Sequence, residues 1–300
     1  ICVGNLVMGG TGKTPHIEYL IRLLTQNGLK VAVLMRGYKR KTSGFIIADS
    51  NASARTIGDE AMQLYAKFPT VTIAVCEKRS KGIELLQRHM EHLDVVLLDD
   101  AFQHRPLECG LNILLSTYDK LYTDDHLVPY GTLRDLPSRA HKADVIVITK
   151  CPTTMQPIDM RVVDNKLRLP VFQQLHFTSM TYPPIDYKGV PLILCGIAQP
   201  QYLINHVRSL YPQAITMTFA DHYAYKKADV KNIIKQATKV DFVITTEKDM
   251  QRLANTTLPE QLQALNIPLC VLPITVQFRT DADVFDKKIL TYIRENNRKK

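Results

Sequence analysis

Three hundred residues with 45% apolar content are enough for one large or two ordinary domains with real cores. A formal charge of +9 asks for an anionic partner: nucleic acid, an anionic membrane surface or a phosphorylated substrate. Six cysteines without a C-x-x-C pair argue against a disulfide framework and for buried thiols in a reducing compartment. No apolar run approaches the ~20 residues of a membrane span, and no signal peptide is visible. The chain begins with Ile1 inside an apolar run, ICVGN at 1–5, so a further segment is expected upstream.

The residues that follow carry the first chemistry. MGGTGKT at 8–14 leads into Pro15 and a helix-like IEYLIRLL, which gives a strand, a glycine loop and a helix in sequence. Such a loop wraps nucleotide phosphates with backbone N–H groups, and the positive end of the helix adds to the field. The G-x-x-x-x-G-K-[ST] register covers Val7, Met8, Gly9, Gly10, Thr11, Gly12, Lys13 and Thr14. Only its first position departs, with Val7 in place of Gly. Lys13 is expected to reach the outer phosphates and the Thr14 hydroxyl to hold magnesium, so ATP and Mg2+ are the expected cofactors.

Further along, apolar runs alternate with helical patterns. Strands are expected at 30–35, 45–49, 71–76, 94–99, 111–115 and 144–149, with helices at 13–27, 58–67, 79–91 and 155–167. A second set follows: strands 191–196, 214–219, 241–246 and 269–273, and helices 199–210, 227–238, 247–254 and 283–296. The fold class is therefore α/β, a P-loop NTPase-like, doubly wound, mostly parallel sheet with a second smaller α/β lobe. The Pro- and Tyr-rich stretch 178–189 is the expected connection. It divides a nucleotide-binding lobe, 1–177, from a second lobe, 178–300, whose last helix is expected to pack back on the first.

The run DVVLLDDAFQHR at 94–105 is an apolar strand ending in two carboxylates, the arrangement that places an acid beside a phosphate loop to bind magnesium. Neighbouring side chains on a strand point to opposite faces, so Asp99 and Asp100 are expected to divide metal and acceptor duties. Two alternative nucleotide-binding classes fit less well. Dimeric switch ATPases carry a Lys where this chain has Met8, and GTPases carry an Asn-Lys-x-Asp motif of which ITKCP at 148–152 keeps only the Lys. A nucleotide-dependent switch or motor acting on a protein partner remains the alternative to a kinase.

GN at 4–5, GGTGKTP at 9–15, RGYKRK at 36–41, GDEA at 58–61, DDAFQHR at 99–105, LR at 133–134, FADHYAY at 219–225 and TTEKD at 245–249 occur in this order. Together they resemble the tetraacyldisaccharide 4'-kinase family of lipid A biosynthesis in Gram-negative bacteria, over essentially the whole chain. Departures are Ala101-Phe102 for Gly-Leu, Thr132 and Asp135 flanking Leu133-Arg134, and Tyr223 for a second His. The resemblance implies transfer of the ATP γ-phosphoryl to the 4'-hydroxyl of a tetraacyldisaccharide 1-phosphate, giving lipid IVA. That work would take place at the cytoplasmic face of the inner membrane, an anionic surface. The resemblance places a membrane-associated helix upstream of Ile1, and no nucleic-acid partner is expected, because no nucleic-acid fold signature accompanies the basic residues.

The same resemblance assigns roles. Asp59, otherwise readable as a helix-capping acid, becomes the acid–base group for the acceptor hydroxyl, and His222 the imidazole that orients it. Lys13, Asp99 and Asp100 complete the expected catalytic set, with Thr14, Asp99 and Asp100 as metal ligands. Arg36, Lys39, Arg40 and Lys41, with Tyr38 among them, form a basic cluster expected to touch phosphate on ATP or on the lipid. Arg79, Gln103, His104 and Arg134 are the other expected substrate contacts. RENNRKK at 294–300 is expected to be a solvated tail.

Overall fold

The computed structural model describes residues 1–104 and 106–297. The first lobe runs through β1 (Cys2–Asn5), α1 (Lys13–Gln26), β2 (Val31–Met35), β3 (Ile46–Ile47), α2 (Ala54–Ile57), α3 (Asp59–Lys67), β4 (Thr72–Val75) and α4 (Arg79–His89). It continues through β5 (Val95–Asp99), β6 (Asn112–Thr117), β7 (Val145–Thr149), α5 (Pro157–Leu167) and β8 (Gln174–Thr181). The second lobe holds β9 (Pro191–Cys195), α6 (Gln201–Leu210), β10 (Ile215–Thr218), α7 (Lys227–Ala237), β11 (Phe242–Thr246), α8 (Glu247–Leu253), α9 (Leu258–Ala264) and β12 (Leu269–Leu272). The chain then returns to the first lobe as β13 (Thr275–Phe278) and α10 (Ala282–Asn297).

Nine strands form one sheet in the order β13-β8-β7-β6-β1-β5-β2-β4-β3. Every pair is parallel except the edge pairs β13/β8 and β3/β4. The inner strands β1, β2 and β7 are buried at every residue, as both faces of a helix-covered parallel sheet require. One core gathers α1 and α10 against the sheet, with Ile17, Leu20, Ile21 and Leu24 from α1 beside Phe285, Ile289 and Ile293 from α10. The opposite face packs Leu34, Leu98, Leu114 and Ile146 with Leu86 of α4 and Val163 of α5. The second sheet, β10-β9-β11-β12, is entirely parallel, with α7 and α9 on one face and α6 on the other.

The division expected at 177/178 falls inside β8, which pairs with β7 from Val145↔Gln174 to Ile148↔Phe177 and so belongs to the first sheet. The chain leaves that sheet after Thr181 and re-enters it at Thr275. The polar sequence QLHFTSMT hides the strand, yet His176, Thr178 and Ser179 are all buried in it. The short helices α2 and α9 and strand β13 also lie outside the expected set. All six cysteines are free thiols, four buried and two half-buried. Among the described residues no helix is long and apolar enough to cross a membrane. Arg105 and the last three residues of the RENNRKK tail lie outside the described residues.

Candidate active site

The β1–α1 turn is built for an anion. Gly9, Gly10 and Gly12 all take positive φ, +81°, +30° and +83°, a region that costs glycine little. Gly12 caps α1 without any side-chain hydrogen bond, and no acidic residue stands in the first turn, so the helix's positive end is left free. The loop is held from below. Asn5 donates from Nδ2 to Thr11 Oγ1 at 2.7 Å and to the Gly9 carbonyl at 3.2 Å, and Thr149 Oγ1 donates to the Thr11 carbonyl at 2.9 Å. Val7 does not reach the phosphate side; it bridges to Leu133, while the Met8 N–H donates to the Thr132 carbonyl.

At the end of β5 the paired acids separate. Asp99 closes the strand and is buried, and its Oδ1 has no hydrogen-bond partner. Burial, reinforced by the charge of Glu60, pushes its carboxyl up to about 7, against the pull of Lys13. Asp100 sits one residue later at φ +52°, where the strand has already broken. Arg134 grips it with both Nη atoms, one at 2.9 Å, and Lys13 Nζ stands 3.6 Å away. Burial would raise the Asp100 carboxyl, but the Arg134 hydrogen bonds and the Lys13 charge hold it below its ordinary range. The residues fit a magnesium ion: Asp99, with a buried, unpartnered carboxylate oxygen, and Thr14 line the same cavity as the loop. Among the described residues no three His, Cys, Asp or Glu converge as a metal cage, so phosphate oxygens and water would complete the shell.

The third part of the site spans the lobes. Gly58, at φ +91° and ψ 155°, turns the chain so that Asp59 opens α3; a Cβ there would press on the Tyr38 carbonyl at 3.1 Å. Asp59 Oδ2 lies 2.8 Å from His222 Nδ1 of the second lobe. Tyr38 meets the His222 ring edge-on at 5.2 Å between centroids. Burial alone would raise the Asp59 carboxyl, yet the His222 hydrogen bond and the charges of Lys248 and Arg252 hold it below its usual value. The TTEKD segment explains how α8 arrives there. Thr246 caps the helix, and Asp249, fully buried, takes hydrogen bonds from the Gly196 N–H, Tyr225 and Arg252. Glu247 and Lys248 are thereby aimed at Lys67 and Glu60 of α3, at 2.6 and 2.8 Å.

These parts line one cavity of about 830 Å³ between the lobes, bounded by the phosphate loop, Asp99, Asp100, Asp59 and His222. Arg36, Tyr38, Lys39, Arg79 and Arg134 share its wall. Arg79 is buried and spends its Nη atoms on the carbonyls of Cys76, Glu77 and Asp99. Four expected contacts lie elsewhere. Arg40 is paired with Glu77 and the Gly44 carbonyl, Lys41 is exposed away from the cavity, and Gln103 donates to the Asn5 carbonyl at 2.6 Å. His104 is not among the residues lining the cavity, and burial together with the charge of Arg79 lowers its pKa. Residues given no role by sequence also belong to the wall. Lys150 lies 4.5 Å over the Tyr202 ring and bonds Gln199, whose side chain overhangs Gly10. Glu60 and Lys248 were visible within GDEA and TTEKD, though their pairing was not.

Comparison with known proteins follows the whole chain. A family model described as Tetraacyldisaccharide-1-P 4'-kinase matches residues 1–294. A tetraacyldisaccharide 4'-kinase of Bacteroides thetaiotaomicron is 39% identical, covering 99% of this chain and 85% of the relative. One from Flavobacterium johnsoniae is 41% identical, with 99% and 87% covered. In fold, the chain is similar to a crystal structure of the "apo" form of LpxK from Aquifex aeolicus in complex with ATP. The TM-score is 0.71 at 24% identity, covering 97% of this chain and 87% of that one.

Proposed function

Because the chain belongs to the tetraacyldisaccharide-1-P 4'-kinase family, we propose that it transfers the γ-phosphoryl of ATP to the 4'-hydroxyl of a tetraacyldisaccharide 1-phosphate. The product is lipid IVA, and the chain acts in lipid A biosynthesis. The observation that carries the residue-level reading is the 2.8 Å contact between Asp59 and His222 in the cavity that also holds the phosphate loop. A nucleotide switch has no need of an acid–base pair there.

In this reading the amides of residues 9–14 bind the β- and γ-phosphates and Lys13 neutralises charge as the phosphoryl moves. Asp59, low in pKa and ionised, accepts the acceptor hydroxyl's proton at Oδ1 or Oδ2 as the oxygen attacks phosphorus. His222 holds that carboxylate in line. Asp99 and Thr14 are the residues that would hold magnesium, which when bound screens the β- and γ-phosphate charge. Asp100 keeps Lys13 and Arg134 in register. Arg36 and Lys39, on the cavity wall with solvent access, suit the acceptor's 1-phosphate. We place the enzyme peripherally at the cytoplasmic face of the inner membrane. Its lipid acceptor and its +9 charge support that siting.

The test is incubation with γ-labelled ATP, magnesium and the disaccharide lipid in mixed micelles. A labelled phosphomonoester on the lipid is the expected result. Hydrolysis to free phosphate without lipid labelling overturns the reading.

A further inference from the structure

The His222 imidazole has two ring nitrogens and a charged partner at each. Nδ1 lies 2.8 Å from Asp59 Oδ2, and Nε2 lies 3.4 Å from Lys248 Nζ. An ionised carboxylate only accepts hydrogen bonds and an ammonium only donates them. Nδ1 must therefore carry the hydrogen toward Asp59, and the Lys248 N–H can be met only by a lone pair on Nε2. Asp221 Oδ2 stands 3.7 Å from Nε2, beyond hydrogen-bond distance. Tyr38 from the loop after β2 meets the ring edge-on, and the ring's two partners are themselves paired, Lys248 with Glu60 of α3 and Asp59 with Arg252 of α8 at 3.8 Å.

We propose that Lys248 is a positioning residue that fixes His222 as the neutral Nδ1–H tautomer, with its donor aimed at Asp59. An imidazolium would place a second positive charge beside the ammonium with no lone pair left to receive it, so the acceptor's proton stays on Asp59. Lys248 is itself held at 2.8 Å by Glu60, the neighbour of Asp59 on α3. Lys248 and His222 belong to the second lobe and their acidic partners to the first, so the tautomer is locked only while α3 and α8 meet. The catalytic consequence rests on the kinase reading above; the tautomer does not.

The test uses the full chain with 15N-labelled histidine, together with K248M and K248R. In the unmodified protein the His222 ring is expected to show a protonated Nδ1 and an unprotonated Nε2 at neutral pH. In K248M its titration midpoint is expected to rise by about one unit, tenfold in proton affinity. The acid limb of kcat/KM should move with it and kcat should drop at least tenfold, while KM for ATP changes less than about threefold. K248R, keeping a donor and a charge, should retain the tautomer. A proton found on Nε2 in the unmodified protein, or an unmoved titration in K248M, overturns the proposal. A moved titration beside an unmoved acid limb instead overturns the base role of the Asp59–His222 pair.

Discussion

Arg134 binds Asp100 with both terminal nitrogens and extends the same Nη2 to the side chain of Asn5, the residue that ties down the phosphate loop. One guanidinium thus sets the position of the loop and of the acid facing Lys13. A flat, two-pronged donor does this and an ammonium does not. Arg134→Lys is expected to lower kcat roughly 10²-fold, the scale of losing one fixed charge-stabilising contact. Steady-state kinetics at saturating ATP check it, and a loss confined to the KM for lipid would mean that Arg134 serves the acceptor instead.

Asp99 and Asp100 should fail differently. Asp99→Asn removes the unpartnered oxygen suited to magnesium, so its loss of activity should be partly recovered at high magnesium. Asp100→Asn breaks the pair with Arg134, which no metal restores. Magnesium titrations of both variants decide, and parallel curves would refute separate duties.

Asp59 and His222 should behave as one unit. Each single Ala variant is expected to lose roughly 10²–10⁴-fold in kcat with ATP affinity kept, since neither touches the phosphate loop. The double variant should be little worse than the poorer single. A double loss equal to the product of the two would show that they act independently.

Asp125 anchors the loop that carries Arg134. Its buried carboxylate takes the Thr132 hydroxyl, the N–H groups of His126 and Thr132, and Lys120 at 2.7 Å. Burial, which alone would raise this carboxyl, is outweighed by the Lys120 and Thr132 hydrogen bonds, which hold it well below the usual range. A carboxyl lowered on folding stabilises fully above its unfolded value near pH 4, and the contribution is lost as pH falls toward the folded value. Asp125→Asn is therefore expected to lower stability by about 1–3 kcal/mol at pH 7 and by less at pH 3. Urea unfolding at the two pH values measures the difference, and an equal loss at both would contradict it.

The sequence exposed most clearly what glycine and apolar periodicity control. The phosphate loop, the inner strands and the alternation of helix and strand follow from residues that admit few other conformations. The strand β8 escaped because Thr178, Ser179 and His176 are polar, and their burial depends on partners far away in sequence, such as His16 for Thr178. The acids of β5 were legible as a pair, but which one meets a cation depends on Arg134, 34 residues further on. Arg40 and Gln103 read as substrate contacts because a basic or amide side chain advertises hydrogen bonding and not its direction. Lys248 and Glu60 could not be matched at all, since the α3–α8 contact exists only once both sheets are built.

The second lobe is an insertion, entered after β8 and left before β13, and this orders the events of synthesis. When the ribosome has delivered residues 1–181, the first sheet has an open edge at β8, and α1 lacks the Phe285, Ile289 and Ile293 that complete its core. An unpaired edge strand invites pairing with a neighbouring chain. About ninety further residues must emerge before β13 seals that edge, at a pace of roughly 5–20 residues per second. For several seconds, then, the nascent nucleotide lobe is a sticky, unfinished sheet, and β13 and α10 act as its closing clasp.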